Sequence, residues 1–317
     1  MPSRPRSRRL RRASYGALTG ALVATGWWVG WWAPERPWRD AVGWGEIAVA
    51  DRPATGPLWS AASTQVPPPE LRWLGHSGFL LRWQGATFLL DPNTSEWCAI
   101  ARRRLRPAPD LGSIGPVDAA LINHAHLDHL DLPTLRSVGG LGAIVLPAGA
   151  ERYLSGSIEG AVVPVRAGDS VRFGSVEVIA VEAAHNGSRR HPLRSRLRAL
   201  GYVLRVDRET IYFAGDTGLA NDFAAIGRRF RPRVAILPIG AWAPRFPMRH
   251  YHLSPDDAVE AAMRLGAGVV VPCHFGTFTL ALDRPDRALP RFAAAARARG
   301  VQWTLAPLDG ERSIGGG

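Results

Sequence analysis

The feature that most constrains this chain is the stretch 124–129, which reads His-Ala-His-Leu-Asp-His and follows a short apolar run. The apolar run is typical of a buried strand. A loop that closes a strand can point alternate side chains into one cleft, so His124 and His126 can share one metal ion. Asp128 and His129, around the turn, can serve a second ion. Because four such groups buried together without a cation would cost free energy, the stretch predicts a metal site and not a polar loop rich in histidine.

Three further candidate ligands follow apolar runs in the same way. They are His185 after the run 176–181, Asp216 after 211–214 within Gly-Asp-Thr-Gly, and His274 after 269–273. Taken singly, each has an ordinary alternative as a turn residue or a hydrogen-bonded surface histidine. Because ligands in open α/β folds gather at the ends of neighbouring strands, we expect all three to converge on the 124–129 loop.

The composition divides the chain into three parts. Residues 1–33 are a basic arm and an uncharged run, residues 34–69 are a Pro- and Gly-rich linker, and residues 70–317 are the folded domain. The domain begins with three strand-like runs separated by Gly turns, followed by a long loop at 92–117. Later strands alternate with helical patterns near 219–229, at 255–265 and at 287–299. This order predicts an α/β fold of four layers, in which two packed sheets are covered by helices.

The N-terminal part predicts membrane attachment. Residues 13–33 carry no charge, end in four tryptophans and follow six arginines within the first twelve residues. About 20 apolar residues span a bilayer as a helix, tryptophan prefers the interface, and a basic flank stays cytoplasmic. We therefore expect an N-terminal apolar helix that anchors the protein, with the folded domain on the non-cytoplasmic side. The alternatives are a cleaved export signal, with 48–50 as the cleavage site, and a cytoplasmic tail.

The charge of the chain does not by itself require a nucleic-acid partner. The formal net charge is +12, yet every basic residue is Arg and none is Lys, which indicates a bias in the coding sequence. Six of the arginines lie in the first twelve residues, so half of the net charge belongs to the N-terminal arm. The two cysteines, Cys98 and Cys273, read as independent thiols, with one bridge between them as the alternative.

The order of the candidate ligands resembles the metallo-β-lactamase superfamily, and the resemblance covers roughly residues 70–310. It implies an αβ/βα sandwich with two metal ions along one edge. Carried over by position, the ligands are His124, His126 and His185 for the first ion, Asp128, His129 and His274 for the second, and Asp216 as the bridge. The resemblance and the donor types imply two Zn²⁺, with Mn²⁺ or Fe²⁺ as alternatives.

A narrower resemblance is to the N-acyl-phosphatidylethanolamine phospholipase D branch. The segments that carry it are Trp73–Ser77, Phe213–Gly218, Leu237–Ala241, Pro244-Arg245, His252–Pro255 and His274–Phe278. It implies hydrolysis of a phosphodiester by a metal-bridging hydroxide beside a membrane-facing apolar groove. The ascorbate-6-phosphate lactonase branch shares the metal motif but matches these segments less well, and the loops 92–117 and 186–200 depart from the pattern.

We therefore expect a zinc-dependent phosphodiesterase of the phospholipase D type that acts on N-acyl-phosphatidylethanolamine-like phospholipids. The alternatives are a lactonase, a nuclease and a non-enzymatic, membrane-tethered binding module. The expected partners are a phospholipid or another anionic ester and the membrane, whereas nucleic acid is not expected and a homodimer stays open. The predicted catalytic residues are Asp128, His252 and His76. Candidate substrate contacts are Arg189, Arg190 and Arg245 for an anion, and Trp242, Phe246 and Phe278 for an apolar groove.

Overall fold

The structure is a computed structural model that describes residues 66–105, 110–156, 158–189 and 197–308, together with Trp44, Ile47, Pro53 and Leu58. The strands are β1 (Glu70–Gly75), β2 (Gly78–Trp83), β3 (Ala86–Leu90), β4 (Trp97–Cys98), β5 (Ala101–Arg102), β6 (Val117–Leu121), β7 (Leu141–Pro147), β8 (Ala161–Val165), β9 (Ser170–Phe173), β10 (Val176–Asn186), β11 (Arg198–Val206), β12 (Glu209–Phe213), β13 (Val234–Pro238) and β14 (Val269–Cys273). The helices are α1 (Leu132–Ser137), α2 (Phe223–Phe230), α3 (Arg245–Met248), α4 (Pro255–Leu265) and α5 (Ala288–Arg299).

Most of these strands form two mixed sheets of six strands each. The first has the order β1-β2-β3-β6-β7-β8 and the second the order β14-β13-β12-β11-β10-β9, while β4 and β5 form a separate hairpin. In both sheets an antiparallel part is joined to a parallel part, at β3–β6 and at β12–β13. Helix α1 packs on the outer side of the first sheet, and α4 packs on the second. The predicted αβ/βα sandwich is therefore confirmed.

The alternation of side chains along the strands separates two apolar layers. Phe88 and Leu121 of the first sheet share a core with Tyr202 of the second, whereas Leu89 packs with Leu135 of α1. The Tyr202 hydroxyl donates to the carbonyl of Ile122 at 2.8 Å and so joins the two sheets. Strands buried on both faces read as continuous apolar runs. Each fully buried large side chain contributes about 1.5–3 kcal/mol.

Helix α4 begins where its sequence predicts. Ser254 caps α4 in a capping box with Asp257, Pro255 occupies the first turn, and Gly266 ends the helix with φ of 62°. Helix α2 begins later than its pattern, which started at residue 219. The reason is the cap: the Asp222 side chain accepts from the backbone N–H of Ala225, which starts the helix at Phe223.

Three segments differ in detail from the sequence prediction. Strand β10 does not end at 181 but runs to Asn186, because its pairing with β11 resumes beyond an irregularity at Asn186↔Arg198. His185 therefore lies within a strand and not after one. The predicted loop 92–117 contains the β4–β5 hairpin and a 3₁₀ turn at Leu111–Ser113. In the predicted linker, Ile47 and Val66 are buried in the main core.

The remaining predictions concern thiols and the N-terminus. Cys98 and Cys273 are both buried free thiols, as predicted. Within the described ranges, no helix combines the length and the apolar character that crossing a bilayer requires. Residues 1–33, with the predicted basic arm and apolar helix, lie outside the described residues.

Candidate metal centre

The predicted metal ligands meet at one edge of the sandwich, where strands of both sheets end. The loop 124–129 follows β6 of the first sheet, and Asp216 and His274 follow β12 and β14 of the second. His185 lies near the end of β10. The structure groups the donor atoms of all seven predicted ligands into overlapping clusters, each within 4.8 Å across.

Three histidines form the first donor group. His124 Nε2 lies 2.7 Å from His126 Nδ1, and His185 Nε2 lies 3.3 Å from the same nitrogen. Two nitrogens bound to one Zn²⁺ at about 2.0–2.1 Å stand at most about 4.2 Å apart. The three rings are therefore close enough to share one ion.

A second donor group joins Asp128, His129 and His274. Asp128 Oδ2 lies 3.4 Å from His129 Nε2 and 3.4 Å from His274 Nε2. His76 Nε2 lies 3.0 Å from the same oxygen and belongs to this group as well. The group contains the three residues predicted for the second ion, with His76 added.

Asp216 lies between the two groups. Its Oδ2 is 3.2 Å from His129 Nε2 and 3.9 Å from His185 Nε2, and its Oδ1 is 3.1 Å from His274 Nε2. Only 1% of its side chain is exposed. A carboxylate that reaches both groups in this way has the position that bridging two ions requires.

Hydrogen bonds on the outer side of three imidazoles direct their lone pairs to the centre. The donations are His124 Nδ1 to Asn123 Oδ1 (2.5 Å), His129 Nδ1 to Asp91 Oδ2 (2.6 Å) and His185 Nδ1 to the Tyr251 carbonyl (2.8 Å). Because each Nδ1 carries a proton, the Nε2 atom of each ring faces the other donors and offers a lone pair when the ring is neutral. An outer acceptor of this kind fixes the orientation of a metal-binding histidine and raises its basicity.

Some of the inward atoms are buried and have no hydrogen-bond partner among the described residues. Those that face the centre are His129 Nε2, His274 Nε2 and Asp216 Oδ1, whose short contacts with the other site residues do not have the geometry of hydrogen bonds. A buried polar atom without a partner costs about 1–3 kcal/mol. Coordination to a cation would satisfy all three, so the donor set fits a metal.

The carboxylates of Asp128 and Asp216 stabilise the protonated forms of the histidines beside them. Burial opposes the charged form of His129, but Asp216 and Asp128 outweigh it and raise the pKa of His129 well above its usual value. Burial also opposes the charged form of His274, but Asp216 and Asp128 raise its pKa to about 9. Burial also opposes ionisation of Asp128 and Asp216, yet the histidines hold the pKa of both well below the usual value. Burial lowers the pKa of His185 to about 3, which leaves the neutral ring that a metal needs.

Asp91 is a supporting residue that the sequence analysis did not single out. It follows β3, is fully buried, and accepts from the His129 ring and from the Asn123 backbone N–H, the latter at 2.6 Å. The carboxylate–histidine pair fixes His129 in the second donor group. Its position directly after an apolar strand is the same signal that the predicted ligands carry.

Asn123 is the second supporting residue. Its Oδ1 accepts from the Asp216 backbone N–H at 3.1 Å, and its Nδ2 donates to the carbonyls of Leu200 and Ala214. One amide therefore ties the loop of the first sheet to two strand ends of the second. Sequence reasoning could not identify it, because its partners are about 80 to 90 residues away.

His76, a predicted catalytic residue, is turned towards Asp128. It occupies the β1–β2 turn with φ of 53°, and its backbone N–H donates to Thr277 Oγ1 at 2.5 Å. Its ring N–H donates to Asp128 Oδ2, and burial lowers its pKa to about 4. The contact positions Asp128, and the catalytic role of His76 stays a prediction.

His252, the other additional predicted histidine, lies against the bridging carboxylate. Its Nδ1 is 3.7 Å from Asp216 Oδ2, and its ring centroid is 4.9 Å from that of His185. No described residue forms a hydrogen bond with this Nδ1, and burial lowers the pKa of His252 to about 4. The predicted catalytic role of His252 stays a prediction, and this geometry permits it.

Two of the predicted anion-binding arginines bind the protein itself. Arg189 donates to the Leu130 carbonyl at 2.9 Å, beside the ligand loop. Arg245 forms an ion pair with Asp257. Both guanidinium groups therefore stabilise the frame of the site. Arg190 lies outside the described residues.

The predicted groove residues have different surroundings. Phe278 is buried with its ring 5.5 Å from that of His76. Phe246 is 72% exposed. Trp242 is half-buried beneath the Arg291 guanidinium, 4.9 Å from its ring. Only Phe246 of the three presents a large apolar surface to solvent.

The sandwich and the histidine–carboxylate cluster at its edge define a metal-dependent hydrolase. The family model described as "Beta-lactamase superfamily domain" matches residues 86–275. A UPF0173 metal-dependent hydrolase of Myxococcus xanthus is 32% identical over 263 residues, which cover 76% of this chain and 84% of that protein. The chain therefore belongs to the β-lactamase superfamily, as the order of its ligands predicted.

Other relatives are more distant or similar in fold alone. The N-acyl-phosphatidylethanolamine-hydrolyzing phospholipase D 1 of Caenorhabditis elegans is 28% identical over 227 residues, covering 66% of this chain and 64% of that protein. The solved structure of an isothiocyanate hydrolase from Delia radicum gut bacteria has a TM-score of 0.60 at 20% identity, covering 77% of this chain and 97% of that one. At 20% identity, this similarity shows only that the two proteins share a fold.

Proposed function

We propose that this protein is a phosphodiesterase of the phospholipase D type that uses two Zn²⁺ to hydrolyse N-acyl-phosphatidylethanolamine-like phospholipids. The observation that carries the proposal is the position of Asp216, whose two oxygens contact histidines of both donor groups. Two bound cations supply a nucleophilic water of lowered pKa and positive charge for the phosphate oxygens. The products would be a phosphatidic acid and an N-acylethanolamine.

The protein's own residues would orient the ligands and move a proton. Asp91 and Asn123 hold the rings of His129 and His124, and the His76 ring N–H steadies Asp128. We assign proton transfer to the leaving oxygen to His252. Its lowered pKa leaves the ring neutral, so Nδ1, which faces the centre and lies outside both predicted ligand sets, would first accept a proton from water and then pass it to the leaving oxygen.

Exposed apolar side chains support the proposal that part of the substrate is apolar. Among the described residues, eight large hydrophobic side chains are exposed, and six of them lie in the β4–β5 hairpin, the ligand loop 124–129, helix α3 and the segment that follows His274. We call these six the apolar rim: Trp97, Ile100, Leu127, Phe246, Leu280 and Leu282. Such a concentration of exposed apolar side chains is typical of a binding surface.

The loops that carry the rim are connected to one another and to the centre. The Arg104 backbone N–H donates to the Thr277 carbonyl at 2.8 Å, and the Leu282 N–H donates to the Ala243 carbonyl at 3.1 Å. Phe278 packs with Cys98 of β4 and touches the His76 ring. The rim therefore belongs to one surface that continues into the metal centre.

The charge of the same loops suits a phosphate. The segments 92–105, 241–250 and 275–287 carry seven arginines and three acidic residues, and they remain net basic although Arg245 is paired with Asp257 and Arg103 is buried against backbone carbonyls. An apolar surface beside an excess of arginine fits a molecule with acyl chains and a phosphodiester. The nematode relative, named for hydrolysis of such a lipid, supports the same substrate class. We further propose that residues 1–33 keep the protein at the membrane, with the domain on the non-cytoplasmic side.

The test is direct assay of the full chain loaded with Zn²⁺ on N-acyl-phosphatidylethanolamine in mixed micelles. We expect release of phosphatidic acid, detected by mass spectrometry, that a chelator abolishes and Zn²⁺ restores. Metal analysis of the same sample should find two ions per chain.

Other outcomes would replace the proposal. Opening of lactones without release of phosphatidic acid would favour a lactonase. Cleavage of nucleic acid that weakens steeply with salt would favour a nuclease. A folded protein that retains no metal after growth with Zn²⁺ would favour a binding module.

A further inference from the structure

We propose that Arg245 is a positioning residue that holds the segment 245–254 against the metal centre. The inference concerns the same site and rests on the proposed function only for its kinetic part, since metal binding can be measured without a substrate. The sequence analysis treated Arg245 as a candidate contact for an anionic substrate. Its contacts in the structure assign it to the protein instead.

The Arg245 guanidinium joins two parts of the chain. Its Nη1 donates to the His252 carbonyl at 3.2 Å, and its Nη2 forms an ion pair with the Asp257 carboxylate. Arg245 therefore links the beginning of the segment 245–254 to its end and to the start of α4. A bond to a carbonyl and to a carboxylate at once uses the forked geometry of arginine, which a lysine does not have.

Asp257 is itself held in place by hydrogen bonds at the start of α4. The same carboxylate oxygen accepts from the Ser254 backbone N–H at 2.9 Å and from the Ser254 hydroxyl at 2.7 Å. The Ser254 hydroxyl in turn accepts from the Asp257 N–H at 3.3 Å and caps α4. Helix α4 packs on α2, α5 and β13, so Arg245 is tied to the outer layer of the second sheet.

The segment held in this way supplies two groups to the metal centre. The Tyr251 carbonyl accepts from His185 Nδ1 at 2.8 Å, which turns His185 Nε2 towards His126. The next residue, His252, places its Nδ1 3.7 Å from Asp216 Oδ2. Movement of residues 251 and 252 would therefore disturb both the first donor group and the proposed proton donor.

The segment also lies directly against the loop that carries Asp216. A Cβ atom on Gly218 would collide with the His250 carbonyl, so only glycine permits this approach. Backbone hydrogen bonds from His252 to Met248 (2.9 Å) and from Arg249 to Arg245 (2.8 Å) wind the segment into consecutive turns. A displacement at Arg245 is therefore transmitted to His252 through the backbone.

The experiment compares Arg245→Met, Arg245→Lys and Asp257→Asn with Arg291→Met in the full chain. Arg291 is the matched control, because it pairs at 2.5 Å with Asp256, the neighbouring acid at the start of α4, and its pair is half-exposed. The measurements are Zn²⁺ affinity by competition with a chromophoric chelator, the absorption spectrum of the Co²⁺-substituted protein, and kcat and KM for phospholipid hydrolysis.

We expect Arg245→Met to weaken Zn²⁺ binding by about 10–100-fold, as loss of outer-sphere support does elsewhere, and to change the Co²⁺ spectrum. It should lower kcat by a similar factor with little change in KM. Arg245→Lys should recover part of both, Asp257→Asn should resemble Arg245→Met, and Arg291→Met should behave as the wild type.

Unchanged Zn²⁺ affinity and Co²⁺ spectrum in Arg245→Met would overturn the inference, as would an equal loss in Arg291→Met. A rise in KM with unaltered metal binding would return Arg245 to the role of a substrate contact. If Arg245→Met does not fold, the lysine and Asp257→Asn variants give the same comparison. Absence of phospholipid hydrolysis in the wild type would contradict the proposed function and leave the metal measurements valid.

Discussion

The metal centre and the loops around it are built in opposite ways. The predicted ligands and their supports, Asp91 and Asn123, are at or near strand ends, and nearly all are buried. Asp91 accepts from the Asn123 backbone N–H, and Asn123 donates to the Leu200 carbonyl of the second sheet. The apolar rim lies on the β4–β5 hairpin, α3 and connecting loops, and it exposes side chains such as Phe246 at 72% and Ile100 at 52%. Under the proposed function, the sheets would therefore fix the chemistry and the rim would select the substrate.

This difference predicts two kinds of variant. A change in the buried network should alter metal binding and turnover for every substrate. A change in the rim should alter the affinity for substrates with long acyl chains and leave the metals in place. Variants at the two regions therefore separate the reaction from its specificity.

The largest effect is expected for Asp216→Asn. The amide keeps the shape of the side chain but lacks the charge that contacts histidines of both donor groups. Activity should fall by well over about 100-fold, more than the loss expected for an outer-sphere residue, and metal analysis should show fewer ions. Circular dichroism should show a folded chain. Activity near that of the wild type would contradict the bridging role.

A smaller loss is expected for Asp91→Asn. The substitution removes the charge that accepts from His129 Nδ1 at 2.6 Å, so metal affinity should fall by about 10–100-fold. Chelator competition measures the loss. Asp118→Asn is the matched control, because Asp118 accepts from the Thr87 N–H at 2.7 Å near the other end of the same strands. Equal metal loss in both variants would show a general effect on the fold.

The smallest effect is expected for the rim, tested as the double variant Trp97→Ser and Ile100→Ser. Loss of apolar contact worth about 1.5 kcal/mol should raise KM for long-chain substrates by about tenfold. A short-chain, water-soluble phosphodiester should be hydrolysed as before. The control is Val162→Ser with Met263→Ser, the two exposed large hydrophobic residues outside the rim in the part of the chain that the structure describes. Equal loss with both substrates would show that the rim does not select acyl chains.

The sequence analysis was most successful where local signals agree. The 124–129 loop, the capped start of α4 at Ser254 and the apolar runs of the sheets were all read from residues close together in the chain. It was least successful where a partner lies far away. Asn123 could not be recognised because its partners lie about 80 to 90 residues away, whereas the missed extension of β10 through His185 depends on the pairing of that strand with β11.

The order of the ligands by itself determined the family and the location of the candidate metal centre, because ligands at the ends of apolar strands can meet only at a sheet edge. Tertiary structure decided which atoms face one another. The Asp91, Asn123 and Tyr251 hydrogen bonds set the lone pairs of three histidines, and loops distant in sequence assemble the apolar rim. The physical reason is that orientation and exposure arise from contacts between residues far apart in the chain, which no local pattern records.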